Sequence, residues 1–225
     1  MKYLILKAFG GLVFLFIAMG AALFLPAGTF SYWQAWSFLI VFGVAALAIT
    51  LYLMKKDPKL LERRVYAGPT AEKEKTQKII QFITSIGFIA MLVVPALDHR
   101  YGWSYVPAYL TIIGNILMAI GFLIIFFVYK QNTFTSATIE VYPEQKVVTT
   151  GMYALIRHPM YFGALFLFIG MSLTLASWWD FAVYLLIMPA LLWRLFDEET
   201  FLTKNLAGYA AYRNKVKYRL LPFIW

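Results

Sequence analysis

Four stretches of this sequence, 8–54, 79–97, 101–129 and 158–179, contain no Asp, Glu, Lys or Arg, and a shorter fifth runs over 181–193. A bilayer core about 30 Å thick takes about 20 mostly apolar helical residues. Inside it the backbone is satisfied only by helices or closed barrels. The runs are continuous and lack period-two alternation, so helices are expected. Composition agrees. Of the 225 residues 62% are hydrophobic and 14% charged, against roughly 45–50% and 25% in soluble domains. That excludes a soluble globular enzyme, a disordered chain and a fibrous repeat.

The run 8–54 is too long for one span and breaks at Pro26-Ala27-Gly28-Thr29, where Pro and Gly end helices. Tyr32, Trp33 and Trp36 follow as an aromatic belt. The expected fold is an all-α integral membrane protein with about six transmembrane helices, near 5–25, 34–54, 79–97, 108–129, 159–177 and 180–196. With six spans both termini share one side, and that side holds nineteen of the twenty Lys and Arg; only Arg100 faces the other way. Lys/Arg excess marks cytoplasmic loops, so both termini are expected in the cytoplasm. The formal charge of +9 then reflects this asymmetry and attraction to anionic membrane lipids rather than nucleic acid. The first apolar run leads straight into a second span, so it is expected to be retained and not cleaved as a signal peptide.

Two regions differ in character. Residues 1–129 read as an N-terminal four-helix membrane scaffold, and 130–225 as a core of polar segment, helical hairpin and C-terminal amphipathic helix. The loop 55–78 is charged, mixed in sign, and expected to form short interfacial helices without chemistry. No span carries a central ionisable residue, which weakens a transporter reading; Asn115 is expected to bond between helices. With no cysteine and two histidines, neither a thiolate metal site nor a disulfide is possible. His99 and His158 fall on opposite sides, so they cannot jointly hold a haem, and no metal is expected.

Polar chemistry concentrates where the last two spans meet the basic side. In Gly151-Met152-Tyr153-Ala154-Leu155-Ile156-Arg157-His158-Pro159-Met160-Tyr161, Pro159 suits the first position of a helix. That helix starts at the membrane surface with free N–H groups and the positive end of its dipole, and Arg157 adds donors for a carboxylate. Arg157 and His158 are equally compatible with simple anchoring at the headgroups. Gly163 and Gly170, seven apart on one face, are expected to let another helix approach. In Arg194-Leu195-Phe196-Asp197-Glu198-Glu199 the arginine can pair with Asp197 or Glu198 along the helix, and the acids can hold a ligand cation or form a solvated turn. Leu202, Leu206, Tyr209 and Tyr212 form a stripe expected to lie along the interface with its apolar face down.

Residues 147–161, Gly170, Arg194 with Glu198-Glu199, Gly208-Tyr209 with Tyr212, and the final Leu220-Leu221-Pro222-Phe223 together resemble the isoprenylcysteine carboxyl methyltransferase family. The resemblance runs from Asn132 to the C-terminus. It implies S-adenosylmethionine bound at the cytoplasmic mouth of the last spans, and a lipophilic methyl acceptor arriving from the bilayer. Arg194 and Glu198 become the catalytic pair. Arg157 or Arg194 would take the cofactor's carboxylate, and Glu198 or Glu199 its ammonium. His158, Pro159 and Tyr161 would lie near the nucleoside, with Tyr153, Tyr209 and Tyr212 as aromatic cover. The implied acceptor is the C-terminal carboxylate of an isoprenylcysteine, with a phospholipid amine or another apolar molecule as the alternative. A non-enzymatic transporter or scaffold would lack cofactor affinity. An apolar tunnel lined by Phe162, Leu165, Phe166 and Leu185 is expected, with Pro189 shaping its opening.

Overall fold

The computed structural model describes residues 2–225, and among them there is no β-strand. The helices are α1 (Lys2–Ala27), α2 (Trp33–Lys56), α3 (Pro58–Val65), α4 (Lys75–Tyr101), α5 (Ala108–Gln131), α6 (Pro159–Thr174), α7 (Trp178–Asn205) and α8 (Tyr209–Lys215), with a 3₁₀ turn at Gly151–Ala154. α1, α2, α4, α5 and α7 are long and apolar enough to cross a membrane. Their outer faces expose Phe14, Ile17, Val44, Ile86 and Ile116, apolar surface that suits a lipid surround. α6 is shorter than the expected 159–177. It has 16 residues, or about 24 Å at 1.5 Å per residue, because Pro159 fixes its start and a left-handed Ala176 turns the chain into α7.

α1 packs on α2 and α4, α2 on α5, and α4 on α7, while α5 and α6 run against each other along their length. Glycines make that last contact possible. A Cβ on Gly114 would stand 2.7 Å from Gly170 O, and one on Gly121 would stand 2.7 Å from Gly163 O. The expected packing role of Gly163 and Gly170 is therefore met by a matching pair on α5. Asn115 bonds between helices as expected, its Nδ2 donating to Ser37 Oγ at 3.2 Å.

The start of α1, the end of α2, α3, the end of α5 and the start of α6 gather at one end of the bundle, around Ala8, Leu53, Leu60, Leu61, Tyr129 and Met160. This is the basic end. At the other end a polar knot ties α4 to the α6–α7 turn. Ser104 and Ser177 donate to the Asp98 carboxylate, and Ser172 Oγ donates to Asp180 Oδ2 at 2.8 Å. His99 lies there, stacked on Tyr32 at 4.2 Å between ring centroids, a full helix length from His158.

The C-terminal stripe differs from expectation. Gly208 adopts φ +84° and breaks it, leaving α8 with seven residues. Leu206, Tyr209, Tyr212 and Val216 do not face a membrane surface; they pack inward on Val141, Val147, Tyr153 and Leu202.

Candidate active site

Pro159 occupies the first position of α6, so His158 and Arg157 stand just outside the helix, at the basic end. The segment after α8 returns to hold them there. Ile156 and Tyr218 form an isolated parallel bridge; Arg157 N donates to Tyr218 O and His158 N to Arg219 O, each at 2.9 Å. Their side chains converge on Glu199 from α7. His158 Nε2 lies 3.2 Å from Glu199 Oε1, and Arg219 Nε lies 3.1 Å from Oε2. Arg157 Nε is 2.8 Å from Oε1. That N–H points off the line to the oxygen, so the contact is an ion pair without a hydrogen bond, and the Nε–H has no acceptor among the described residues. Burial pulls the Arg157 guanidinium below its ordinary value, with Glu199 opposing. Removing one member of such a buried cluster is costly, since the charge left behind has no water. Of the two adjacent acids, Glu199 is the internal strut.

Glu198 is placed differently. Its Oε2 accepts from Tyr161 OH on α6 at 2.8 Å. Arg194 is a charge neighbour of both, but it does not form a hydrogen-bonded pair with Asp197 or Glu198 along its own helix. Its Nη1 donates to Gln77 Oε1 at 2.7 Å, and its Nη2 to Glu72 Oε1 at 2.8 Å and Ala137 O at 3.0 Å. Asp197 accepts from Gln77 Nε2. The partners of Arg194 come from other elements because the turn where α4 begins and the segment after α5 both fold over the end of α7.

The tyrosines divide by what their hydroxyls touch. Tyr212 OH donates to Tyr153 O at 2.8 Å, and Tyr153 OH accepts from Asn132 Nδ2 at 3.1 Å; burial pushes the Tyr153 phenol up to about 12. Both hold the 130–158 segment under α8. Tyr209 is buried beside Tyr212, with ring centroids 5.6 Å apart, and its hydroxyl has no partner among the described residues. Burial and the nearby charges of Glu198 and Glu199 raise its phenol well above the ordinary value. The Tyr209 O–H is thus a buried donor without a partner, and the Arg157 Nε–H, ion-paired with Glu199, makes no hydrogen bond.

Below this cluster a small apolar crevice of about 30 Å³ lies between α6 and α7, lined by Leu165, Phe168, Met188, Leu192 and Leu195 together with Tyr161 and Leu220. Of the four expected lining residues only Leu165 is there. Phe162 and Phe166 pack edge to face on each other at 5.1 Å, and Leu185 is 67% exposed on the outer surface.

The phospholipid methyltransferase family matches residues 109–208. Two rice proteins, from Oryza sativa subsp. indica and subsp. japonica, each named probable protein-S-isoprenylcysteine O-methyltransferase, are 29% identical over 157 residues, covering 64% of this chain and 77% of each relative. The resemblance read from the motifs around His158 and Glu198 stands. The chain is a membrane methyltransferase.

The family match in this methyltransferase begins at the top of the glycine seam and takes in Arg157, His158, Tyr161, Arg194, Glu198 and Glu199. It ends before Tyr209 and Arg219. Arg219, Glu72 and Gln77 complete the cluster without any motif to mark them. The one sequence signal for Glu72 is an acid in a loop where basic residues outnumber acids, and that loop reads as plain surface until the chain is folded.

Proposed function

We propose that this methyltransferase moves a methyl group from S-adenosylmethionine to the carboxylate of a lipophilic, isoprenylcysteine-like acceptor at the cytoplasmic face of the membrane. One observation carries the reading: Tyr161 lines the apolar crevice while its hydroxyl holds Glu198 in the polar cluster. A greasy acceptor and a charged donor would therefore meet at one side chain. The residues suit the donor. Arg157 Nε–H and Tyr209 O–H, buried and without a hydrogen-bond acceptor, fit its carboxylate; Glu198, whose partner is a neutral hydroxyl, fits its ammonium. Glu199 is committed to Arg157, His158 and Arg219 and shapes the site from behind. Pro159 and His158 fix the start of α6, with His158 edge-on to Tyr161 at 5.6 Å, and Tyr153 and Tyr212 support the wall.

When bound, S-adenosylmethionine supplies an electrophilic methyl on a sulfonium, taken by a carboxylate oxygen in one displacement as the carbon–sulfur bond breaks. An ionised carboxylate needs no general base. The protein's task is alignment: Arg194, a charge neighbour of Tyr161, would orient the acceptor, Glu198 and Arg157 would hold the donor, and the crevice walls would exclude water. Holding reactants in line at about 3–3.5 Å lowers a barrier by several kcal/mol. The family match also favours a second acceptor class, a phospholipid amine.

The test is titration of the purified protein in detergent with S-adenosylhomocysteine, followed by transfer of labelled methyl to S-farnesylcysteine or to phospholipid extract. Glu198→Ala is expected to weaken nucleoside binding by about tenfold or more. Base-labile label on farnesylcysteine supports the carboxylate acceptor, and label in aminolipid replaces it with the amine. An unmodified protein without affinity for the nucleoside sinks the proposed site.

A further inference from the structure

Buried carboxylates outside the motifs are few, and one of them reaches the site from the opposite half of the chain. Glu72, in the loop between α3 and α4, is 3% exposed. Its Oε1 accepts from Arg194 Nη2 at 2.8 Å and from Gln81 Nε2 at 3.4 Å, and its Oε2 from Ile139 N at 3.3 Å. Gln77, on the first turn of α4 and 1% exposed, accepts from Arg194 Nη1 at 2.7 Å and donates to Asp197. Both terminal nitrogens of Arg194 are therefore assigned, one to each residue. A planar guanidinium held at both nitrogens is fixed in orientation as well as position.

We infer that Glu72 is a positioning residue for methyl transfer. Its carboxylate cancels the charge of Arg194, and together with Gln77 it fixes the plane of the guanidinium beside Tyr161. This rests on the reading that Arg194 meets the acceptor carboxylate. Neutralised by Glu72, Arg194 orients that carboxylate without gripping it. Freed of Glu72, it would bind the anionic acceptor more tightly in the ground state and draw charge from the attacking oxygen. Binding of that kind is no help to the reaction, because only interactions stronger in the transition state raise kcat.

The test compares wild type, Glu72→Gln, Arg194→Gln and the double variant, measuring kcat, acceptor KM and S-adenosylhomocysteine affinity. For Glu72→Gln the expected result is a fall in kcat of about tenfold or more with acceptor KM unchanged or lower, and nucleoside affinity within about twofold of wild type. Because Glu72 acts through Arg194, the double variant should be no worse than Arg194→Gln alone. Losses that add, a raised acceptor KM, or a kcat close to wild type overturn the inference. Glu72→Asp, which keeps the charge, should recover part of kcat, and its own cycle with Arg194→Gln replaces the first if Glu72→Gln does not fold. A wild-type protein that neither binds the nucleoside nor transfers methyl is the separate failure of the proposed function.

Discussion

Gly121→Ala probes the frame of the site without touching its chemistry. The new Cβ would lie 2.7 Å from Gly163 O and 2.8 Å from Leu167 N. Both are backbone atoms, which cannot turn aside. To restore ordinary contact α5 and α6 must part by about 0.7 Å. Overpacking of this kind costs about 1–3 kcal/mol. The usual gain from replacing glycine by alanine inside a helix, about 0.5–1 kcal/mol, offsets part of it. The net loss of about 1 kcal/mol corresponds to a melting temperature lower by roughly 2–4 °C. Gly20→Ala in α1, where a Cβ meets nothing within 4 Å, is the matched control and should hold or gain stability. Thermal unfolding of both variants in one detergent measures the difference, and kcat should also fall for Gly121→Ala because α6 carries Tyr161. If Gly121→Ala melts with Gly20→Ala, the helices are not in backbone contact and the account of the seam is wrong.

Two further outcomes are open to measurement. Tyr209→Phe removes a buried hydroxyl that has no partner, so unliganded stability should hold or rise by about 1 kcal/mol while S-adenosylhomocysteine binds more weakly; a destabilised variant with normal affinity would show that the hydroxyl serves the fold. Burial works against the charged form of Glu140, but hydrogen bonds from Tyr142, Thr138, Lys73 and Ser136 hold its carboxyl below the ordinary value of 4.5. The folded value is the depressed one, so its stabilisation is complete above about 4.5 and is lost as pH falls through the folded value. Hydrogen-exchange protection over 134–142 should drop in that window and should not do so in Glu140→Gln.

What the sequence revealed depended on range. Uncharged length announced the long helices, Pro159 the start of α6, and Pro26 with Gly28 the turn after α1, because each acts on its own neighbourhood. Arg194 was legible as a site residue, yet its partners were not: Glu72 and Gln77 lie more than a hundred positions away, and the nearer acids Asp197 and Glu198 satisfy the i,i+3 and i,i+4 spacings equally well. Glu198 and Glu199 are adjacent, and helix geometry alone turns them to different neighbours. The stripe from Leu202 to Tyr212 kept helical spacing across Gly208, whose left-handed backbone ends that periodicity in space. Leu185 is as apolar as Met188 three positions on, and the rotation of α7 against α4 turns the first outward and the second to the crevice.

The two walls of the crevice belong to different halves of the bundle. α6 is bound to α5 through Gly114 and Gly121, while α7 lies on α4, where a Cβ on Gly87 would clash with Ile187 Cγ2. Aperture is thus governed from behind, as the gap of a door is governed by its hinges. Substitutions that change which acceptors enter should accumulate on those two outer joints as readily as on the side chains that face the guest.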